Sequence, residues 1–248
     1  MLMILVSVII PYYNAARTLG RAIDSALAQD VPLEVLVIDD GSPESPDSVL
    51  RLYKGDPRVK LIRQEKNSGV AAARNEGVRQ ARGRYVAFLD ADDWWAPDKL
   101  RKQLALAKKT GAVLICTGRE LMKPDGTSAG RSIPVQKMIR YRTLLMGNVI
   151  NCSSVLLRTD VAREFPMEYD QAHEDYILWL KVLKKYGEAR GIPGPYLKYQ
   201  VSADGKSGPK WKSALMTWRV YRYMGYGPLT SACFFAGYAI NGVRKWMM

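Results

Sequence analysis

Three acidic clusters carry the chemistry available to this sequence: Asp39-Asp40, Asp90-Ala-Asp-Asp93 and Glu174-Asp175. Asp90, Asp92 and Asp93 put three carboxylates into four residues, an arrangement that repels itself unless a cation sits between them. Oxygen-only ligands suit Mg²⁺ or Mn²⁺. Alternate residues of an extended chain project to opposite faces, so Asp90 and Asp92 share one side while Asp93 turns away. A carboxylate at a helix start, as at Glu174-Asp175, can also take a proton as a general base. Each cluster has a plainer reading. Residues 90–93 would be an acidic turn ahead of a helix near Pro97, and Asp39-Asp40 would cap a turn with Gly41-Ser42. Glu174 and Asp175 would simply favour the helix dipole.

The elements needed to position these acids are legible around them. Residues 85–89 form a short apolar run led in by Gly83, a buried strand that stops at Asp90. Residues 4–10 are β-branched and continuous, as in a central strand buried on both faces. Asn14 is placed to cap the next helix, whose apolar face is Leu19, Ala22, Ile23, Ala26 and Leu27. Residues 35–38 make a strand ending at Asp39-Asp40, and 59–62 a third strand. Val70, Ala73, Gly77 and Ala81 line a helix with a face small enough for close packing. A helix over 99–109 and a strand over 113–116 follow. This alternation through residue 118 means βαβ units and a mainly parallel sheet. Open α/β sheets bind ligands beyond the carboxyl ends of their strands, which is where the first two acidic clusters fall.

The pattern then changes. Pro124-Asp-Gly126 reads as a hairpin tip, 135–146 as a basic helical segment and 154–157 as a short strand. A helix opens at His173-Glu-Asp175 and places Asp175 and Trp179 on one face. Gly191-Ile-Pro-Gly-Pro195 reads as a break before a last strand over 196–201. His173, the only histidine, is a helix-start polar residue rather than a ligand. Trp179 is a core anchor, and Trp94-Trp95 either floors a ligand pocket or packs.

Composition narrows the classes. The chain of 248 residues has 37 basic and 24 acidic residues, a net charge of +13. That surplus calls for an anionic partner: nucleic acid, a nucleotide diphosphate or an acidic membrane surface. The basic residues form no known nucleic-acid reader motif, so nucleic acid is not expected. Three scattered cysteines without CxxC argue against disulfides or a zinc site and fit a reducing cytosol. Residues 1–10 lack a basic leader and a small-residue cleavage site, so they read as a strand rather than a signal peptide. No stretch reaches the roughly 18–20 apolar residues that span a bilayer. Neither Gly-x-Gly-x-x-Gly after the first strand nor a Gly-Lys-Ser/Thr loop occurs, against a dinucleotide oxidoreductase or a P-loop NTPase.

Taken together, Val6-Ser-Val-Ile-Ile-Pro-Tyr-Tyr-Asn14, Val37-Ile-Asp-Asp-Gly-Ser42, Asn67-Ser-Gly-Val-Ala-Ala-Ala-Arg-Asn-Glu-Gly77, Asp90-Ala-Asp92 and Glu174-Asp175 resemble family 2 glycosyltransferases of the GT-A fold. The resemblance spans about residues 5–200, in the family's order. It implies a Rossmann-like α/β fold, a nucleotide-sugar donor, usually a UDP-sugar, and inversion at the anomeric carbon. By the same resemblance Pro11 and Asp39 line the base and ribose pocket, with Tyr13, Asn14, Asp40, Asn67, Gly69 and Ala91 beside them. Asp90 and Asp92 match the family's metal motif, Asp92 being the direct ligand of Mn²⁺ or Mg²⁺. Asp175 matches the catalytic base, with Glu174 next to it. The Gln-x-x-Arg-Trp of processive members is missing, which favours single-sugar transfer. Tyr199-Gln-Val-Ser202 stands where non-processive members often have Tyr-Arg, leaving Lys206, Ser207 and Lys210 as candidates to contact the diphosphate.

The expected division is 1–118 for the nucleotide-sugar half, 119–205 for the acceptor and base half, and 206–248 for a helical tail. That tail mixes Trp211, Trp218, Phe234, Phe235 and Tyr238 with Lys212, Arg219, Arg222, Arg244 and Lys245, which suits a helix lying on an anionic membrane surface. A helical hairpin packed on the body is the alternative. The tail also resembles surface-polysaccharide glycosyltransferases of the teichuronic-acid type, whose acceptors are polyprenyl-diphosphate-linked saccharides. This implies a peripheral enzyme on the cytoplasmic face of the inner membrane. The rival functions are a sugar nucleotidyltransferase, which would need a Gly- and Arg/Lys-rich first loop where Pro11-Tyr-Tyr-Asn14 stands, and a catalytically inactive membrane scaffold.

Overall fold

The structure, a computed structural model, describes residues 3–168, 171–201 and 210–247. The β-branched runs form the middle of a ten-stranded sheet. Its first four strands are β1 (Val6–Tyr12), β2 (Leu33–Asp39), β3 (Val59–Arg63) and β4 (Tyr85–Phe88). They pair in parallel in the order β3-β2-β1-β4. Between them run helices α1 (Ala16–Leu27), the single turn α2 (Asp47–Leu50) and α3 (Val70–Gln80). This is the predicted βαβ half, and β2 is buried along its whole length, as its sequence requires.

Gly77 explains the small face of α3. A Cβ there would lie 2.4 Å from Ile9 Cγ2 on β1, so helix and sheet meet at a distance only glycine allows. Asn14 does not cap α1. Its φ is +48° and its side chain turns to Ser42 and Glu44, while Ala15 takes the cap position without a side-chain bond.

Beyond β4 the sheet is mixed. Its remaining strands are β5 (Trp94–Trp95), β6 (Leu114–Met122), β7 (Ser128–Ile133), β8 (Met138–Arg140), β9 (Leu156–Arg158) and β10 (Glu188–Gln200). The path continues β4-β9-β6-β10-β5, with β7 on β6 and β8 on β10. The helices here are α4 (Lys99–Thr110), α5 (Tyr141–Leu145), α6 (Thr159–Glu164) and α7 (Glu174–Tyr186). Strand β6 extends well past the expected residue 116, crosses the expected boundary at 118 and turns through the predicted hairpin into β7.

Two expectations fail for tertiary reasons. Residues 135–146 are not one helix, because 138–140 pair antiparallel with 188–190 of β10 and leave only α5 helical. Gly191-Ile-Pro-Gly-Pro195 does not end a strand. Its prolines lack ladder donors, so the irregularity is absorbed as a bulge between Ile192 and Leu197 while β10 pairs with β6 on either side. Gly118 makes room for it, since a Cβ there would sit 2.4 Å from Pro193 O.

The tail forms α8 (Lys210–Tyr223) and α9 (Pro228–Met247). It packs on the body as a hairpin. Val220 and Tyr221 are fully buried in the core that holds Tyr176 and Leu144, and Tyr221 Oη donates to Leu145 O at 2.8 Å. Among the described residues no helix is long and apolar enough to cross a membrane.

Candidate active site

A cleft of about 700 Å³ opens at the carboxyl ends of β1, β2 and β4. Pro11, Tyr13 and Asn14 line it from the end of β1, Asn67 and Gly69 from the loop before α3, and Asp90, Ala91 and Asp92 from beyond β4. Asp40 joins them, buried, with each carboxylate oxygen holding that loop: it accepts from Ser68 N at 2.8 Å and from Gly69 N at 2.9 Å. Gly69 sits at φ +91°, which its lack of a Cβ permits. Asp39 is not among the lining residues. Its carboxylate accepts from Ser42 N at 3.0 Å and faces Arg63 Nε at 3.8 Å.

Asp90 and Asp92 come together on the cleft wall and Asp93 turns inward, though not by strand alternation: residues 90–93 form a turn closed by Asp93 N donating to Asp90 O at 3.0 Å. Asp93 accepts from Gln200 N at 3.0 Å. Burial, reinforced by Asp90 and Asp92, pushes its pKa well above the usual carboxylate range. Asp90 N donates to Ser153 Oγ at 3.1 Å. Trp95 donates Nε1 to Ser153 O at 2.7 Å, so Trp95 packs beneath the site and does not floor it. Trp94 likewise lies outside the lining, under Arg21.

Glu174 and Asp175 open α7 but do not line the cleft. What joins them to it is Arg74, a residue whose role the motif reading missed. Its buried guanidinium donates from Nη2 to Asp90 Oδ1 at 2.6 Å and from Nη1 to Glu174 Oε1 at 2.8 Å. Burial alone would favour the neutral form, but the carboxylates outweigh it and keep the group protonated. An arginine next to the small-residue face of α3 formed by Ala73 and Gly77 was the available signal. Asn75 and Met167 exchange two hydrogen bonds next to it, at 2.7 and 2.8 Å, and fix α3 against the approach to α7.

Asp175 is partly buried and accepts from the following Tyr176 N at 2.7 Å. Burial, then the neighbouring Glu174, pushes its pKa up to about 7, while Arg74 works in the opposite direction. His173 precedes the pair. Burial lowers its pKa, and its Nε2 lies 3.4 Å from Ser213 Oγ on α8, a packing role rather than a ligand's. Trp179 is wholly buried in the core, as expected. Lys206 and Ser207 lie outside the described residues, as does the side chain of Lys210.

The charge of the cleft differs from that of the chain. Its ionic lining is Arg17 and Arg74 against Asp40, Glu44, Asp90 and Asp92. Arg74 is already engaged by Asp90 and Glu174. The surplus of basic residues therefore lies elsewhere on the molecule. One share is a groove at the far end of β4 lined by Arg82, Arg84, Arg158 and Arg163 with Asp160. Among the described residues no group of three or more His, Cys, Asp or Glu side chains closes into a metal cage.

Known proteins extend this picture. Over 244 residues the chain is 36% identical to TuaG, a Bacillus subtilis protein named for teichuronic acid biosynthesis, covering 97% of each. It is 32% identical to WfgD of Escherichia coli, named as a UDP-Glc:alpha-D-GlcNAc-diphosphoundecaprenol beta-1,3-glucosyltransferase, covering 97% of this chain and 94% of that one. The fold matches TarS 1–349 of S. aureus in complex with UDP-GlcNAc, with a TM-score of 0.73 at 18% identity over 95% of this chain and 72% of that one. It also matches the mannosyltransferase PcManGT of Pyrobaculum calidifontis with GDP-Man and Mn²⁺, at TM-score 0.70 and 20% identity over 94% and 68%. The glycosyl transferase family 2 model matches residues 7–163, the stretch that supplies most of the cleft lining and Arg74. With that match and full-length relatives in the same class, the chain belongs to glycosyl transferase family 2 and is a glycosyltransferase.

Proposed function

We propose that the enzyme transfers one sugar, with inversion, from a UDP-sugar to a polyprenyl-diphosphate-linked saccharide in bacterial surface-polysaccharide assembly, with a divalent cation bound. The observation that carries the metal is the charge of the cleft, two arginines against four carboxylates. Such a wall repels a diphosphate unless a cation lies between them. Mg²⁺ and Mn²⁺ accept one or two carboxylates and complete their shell with phosphate oxygens and water. Asp92, with Asp90 beside it, fits that requirement. When bound, the ion would neutralise the charge that develops on the leaving diphosphate.

The chain's own groups divide the remaining work. Asp40 holds the 67–69 loop against the nucleotide end of the cleft, with Pro11, Tyr13 and Asn14 opposite. Asp175 is the proposed general base. It takes the proton of the acceptor hydroxyl as that oxygen bonds to the anomeric carbon, while the bond from that carbon to the diphosphate oxygen breaks and the nucleoside diphosphate leaves. A carboxylate with its pKa raised to about 7 suits that task. Arg74 tethers the base helix to the strand that ends in Asp90.

The lipid-linked acceptor is supported by the full-length relatives and by the tail. The α8–α9 hairpin buries one side in the body and exposes Trp211, Leu215, Leu229 and Ile240 beside Lys212 and Arg222, a surface suited to peripheral docking on an anionic membrane. Release of UDP or GDP from a donor panel, with and without polyprenyl-diphosphate saccharide, tests the proposal. Acceptor-dependent release of UDP is expected. Release of pyrophosphate would make the enzyme a nucleotidyltransferase instead, and full activity in EDTA would remove the metal.

A further inference from the structure

We infer that Arg21 is a positioning residue for Asp92, a role that rests on the reading of Asp92 as the carboxylate that holds the cation. Arg21 sits on α1, far from the acidic motif in sequence, and does not line the cleft. Its Nη2 donates to the backbone carbonyl of Asp92 at 3.2 Å and to the side-chain oxygen of Gln200. Its guanidinium lies over the Trp94 ring, 3.7 Å from the centroid. Gln200 N in turn donates to Asp93 Oδ1 at 3.0 Å.

These contacts close a circuit. Arg21 holds Asp92 from one side, Gln200 holds Asp93 from the other, and Arg21 and Gln200 hold each other. Helix α1, the 90–93 turn, β5 and the end of β10 are fixed at one point, and the hairpin turn at Gly126 adds a cover. A Cβ at Gly126 would sit 3.2 Å from Arg21 Nη1. The peptide that carries the Asp92 side chain is thereby held from outside the cleft.

Groups that orient a metal ligand without touching the metal set its affinity, and losing one typically costs about 10–100-fold. Lysine is not equivalent to this arginine, because its compact ammonium has no planar face to stack on the Trp94 indole while it donates to Asp92 and Gln200.

The test uses Mn²⁺ and UDP as probes. Free Mn²⁺ is measured by electron paramagnetic resonance during titration of wild type, R21A and R21K in the presence of UDP. UDP affinity in EDTA and the thermal midpoint are measured alongside. R21A is expected to weaken Mn²⁺ binding by about 10–100-fold while UDP affinity in EDTA stays unchanged. R21K, which keeps the charge and carries the test if R21A does not fold, is expected to lose several-fold. Unchanged Mn²⁺ affinity in the folded variants overturns the inference. So does an equal loss of UDP affinity in EDTA, which would mark a general disturbance of the cleft. If wild type itself takes up no Mn²⁺ with UDP, the metal reading of the cleft falls and takes this inference with it, an outcome distinct from a wild type that binds and variants that bind equally well.

Discussion

Replacing Arg74 by methionine removes the charge that joins the two halves of the site and keeps most of the side-chain volume. The guanidinium is buried against Asp90 at 2.6 Å and Glu174 at 2.8 Å, with side-chain exposures of 5%, 32% and 16%. Removing one partner of a buried ion pair costs about 3–5 kcal/mol, because the other charge stays behind unpaired. Asp90 is a third exposed and water can reach it, so the lower end, about 3 kcal/mol, is expected. For a chain of this size that lowers the thermal midpoint by roughly 6–12 °C. A second effect separates Arg74 from an ordinary core residue. Its positive charge opposes the rise in the Asp175 pKa, so without it that pKa climbs further. A general base works only when ionised, and the acid limb of kcat/KM against pH should therefore move to higher pH in R74M. In R74K the charge remains, so the limb should stay near that of wild type although the two-point bridge is lost. A midpoint within about 2 °C of wild type and an unmoved acid limb would refute the bridge.

Other outcomes follow from the same geometry. Burial raises the Asp175 pKa to about 7, against about 3.9 in an unfolded chain. The folded state thus holds a proton the unfolded state has released, and this group's contribution to stability falls as pH rises from about 4 to 7. D175N keeps the acceptor for Tyr176 N and never ionises, so it should melt higher than wild type at pH 8, lose that advantage progressively down to about pH 4, and turn over about 10²–10⁴-fold more slowly. A lower midpoint at pH 8 would contradict the burial argument. G77A, which places a Cβ 2.4 Å from Ile9 Cγ2, should cost about 1–3 kcal/mol in urea unfolding, and a neutral result would mean that α3 can lift from β1. Deleting 211–248 should destabilise the whole enzyme, because Val220 and Tyr221 are core residues. Changing only Trp211, Leu229 and Ile240 to serine should instead leave the melt unchanged and reduce sedimentation with anionic liposomes, the more so at high salt. Equal sedimentation of the triple variant would remove the tail as the docking surface.

Local chemistry was enough to read the βαβ half from sequence. The Val- and Ile-rich runs at 4–10 and 35–38 suit strands of a doubly covered sheet, and acids at the ends of β2 and β4 must then gather on one edge. Gly77 announced close helix–sheet contact before Ile9 was known to be its partner. The second half resisted because its strands depend on partners distant in sequence. Residues 138–140 have no strand signature of their own and become one by pairing with 188–190, and the prolines of β10 end nothing because β6 supports the strand on both sides of the bulge. The tail's aromatic residues gave no indication of which of them would be buried. Packing on α5 and α7 put Val220 and Tyr221 inside and left Trp211 and Leu229 outside. The site divides in the same way. The motif residues named the carboxylates, whereas Arg74 and Arg21 carry no motif that assigns them a task. Their roles come from distance alone, a guanidinium within hydrogen-bond reach of two groups some 16 and 100 residues away for Arg74, and 71 and 179 for Arg21. A long side chain with several donors takes its meaning from whatever the fold brings to its tip, and only the tertiary structure decides that.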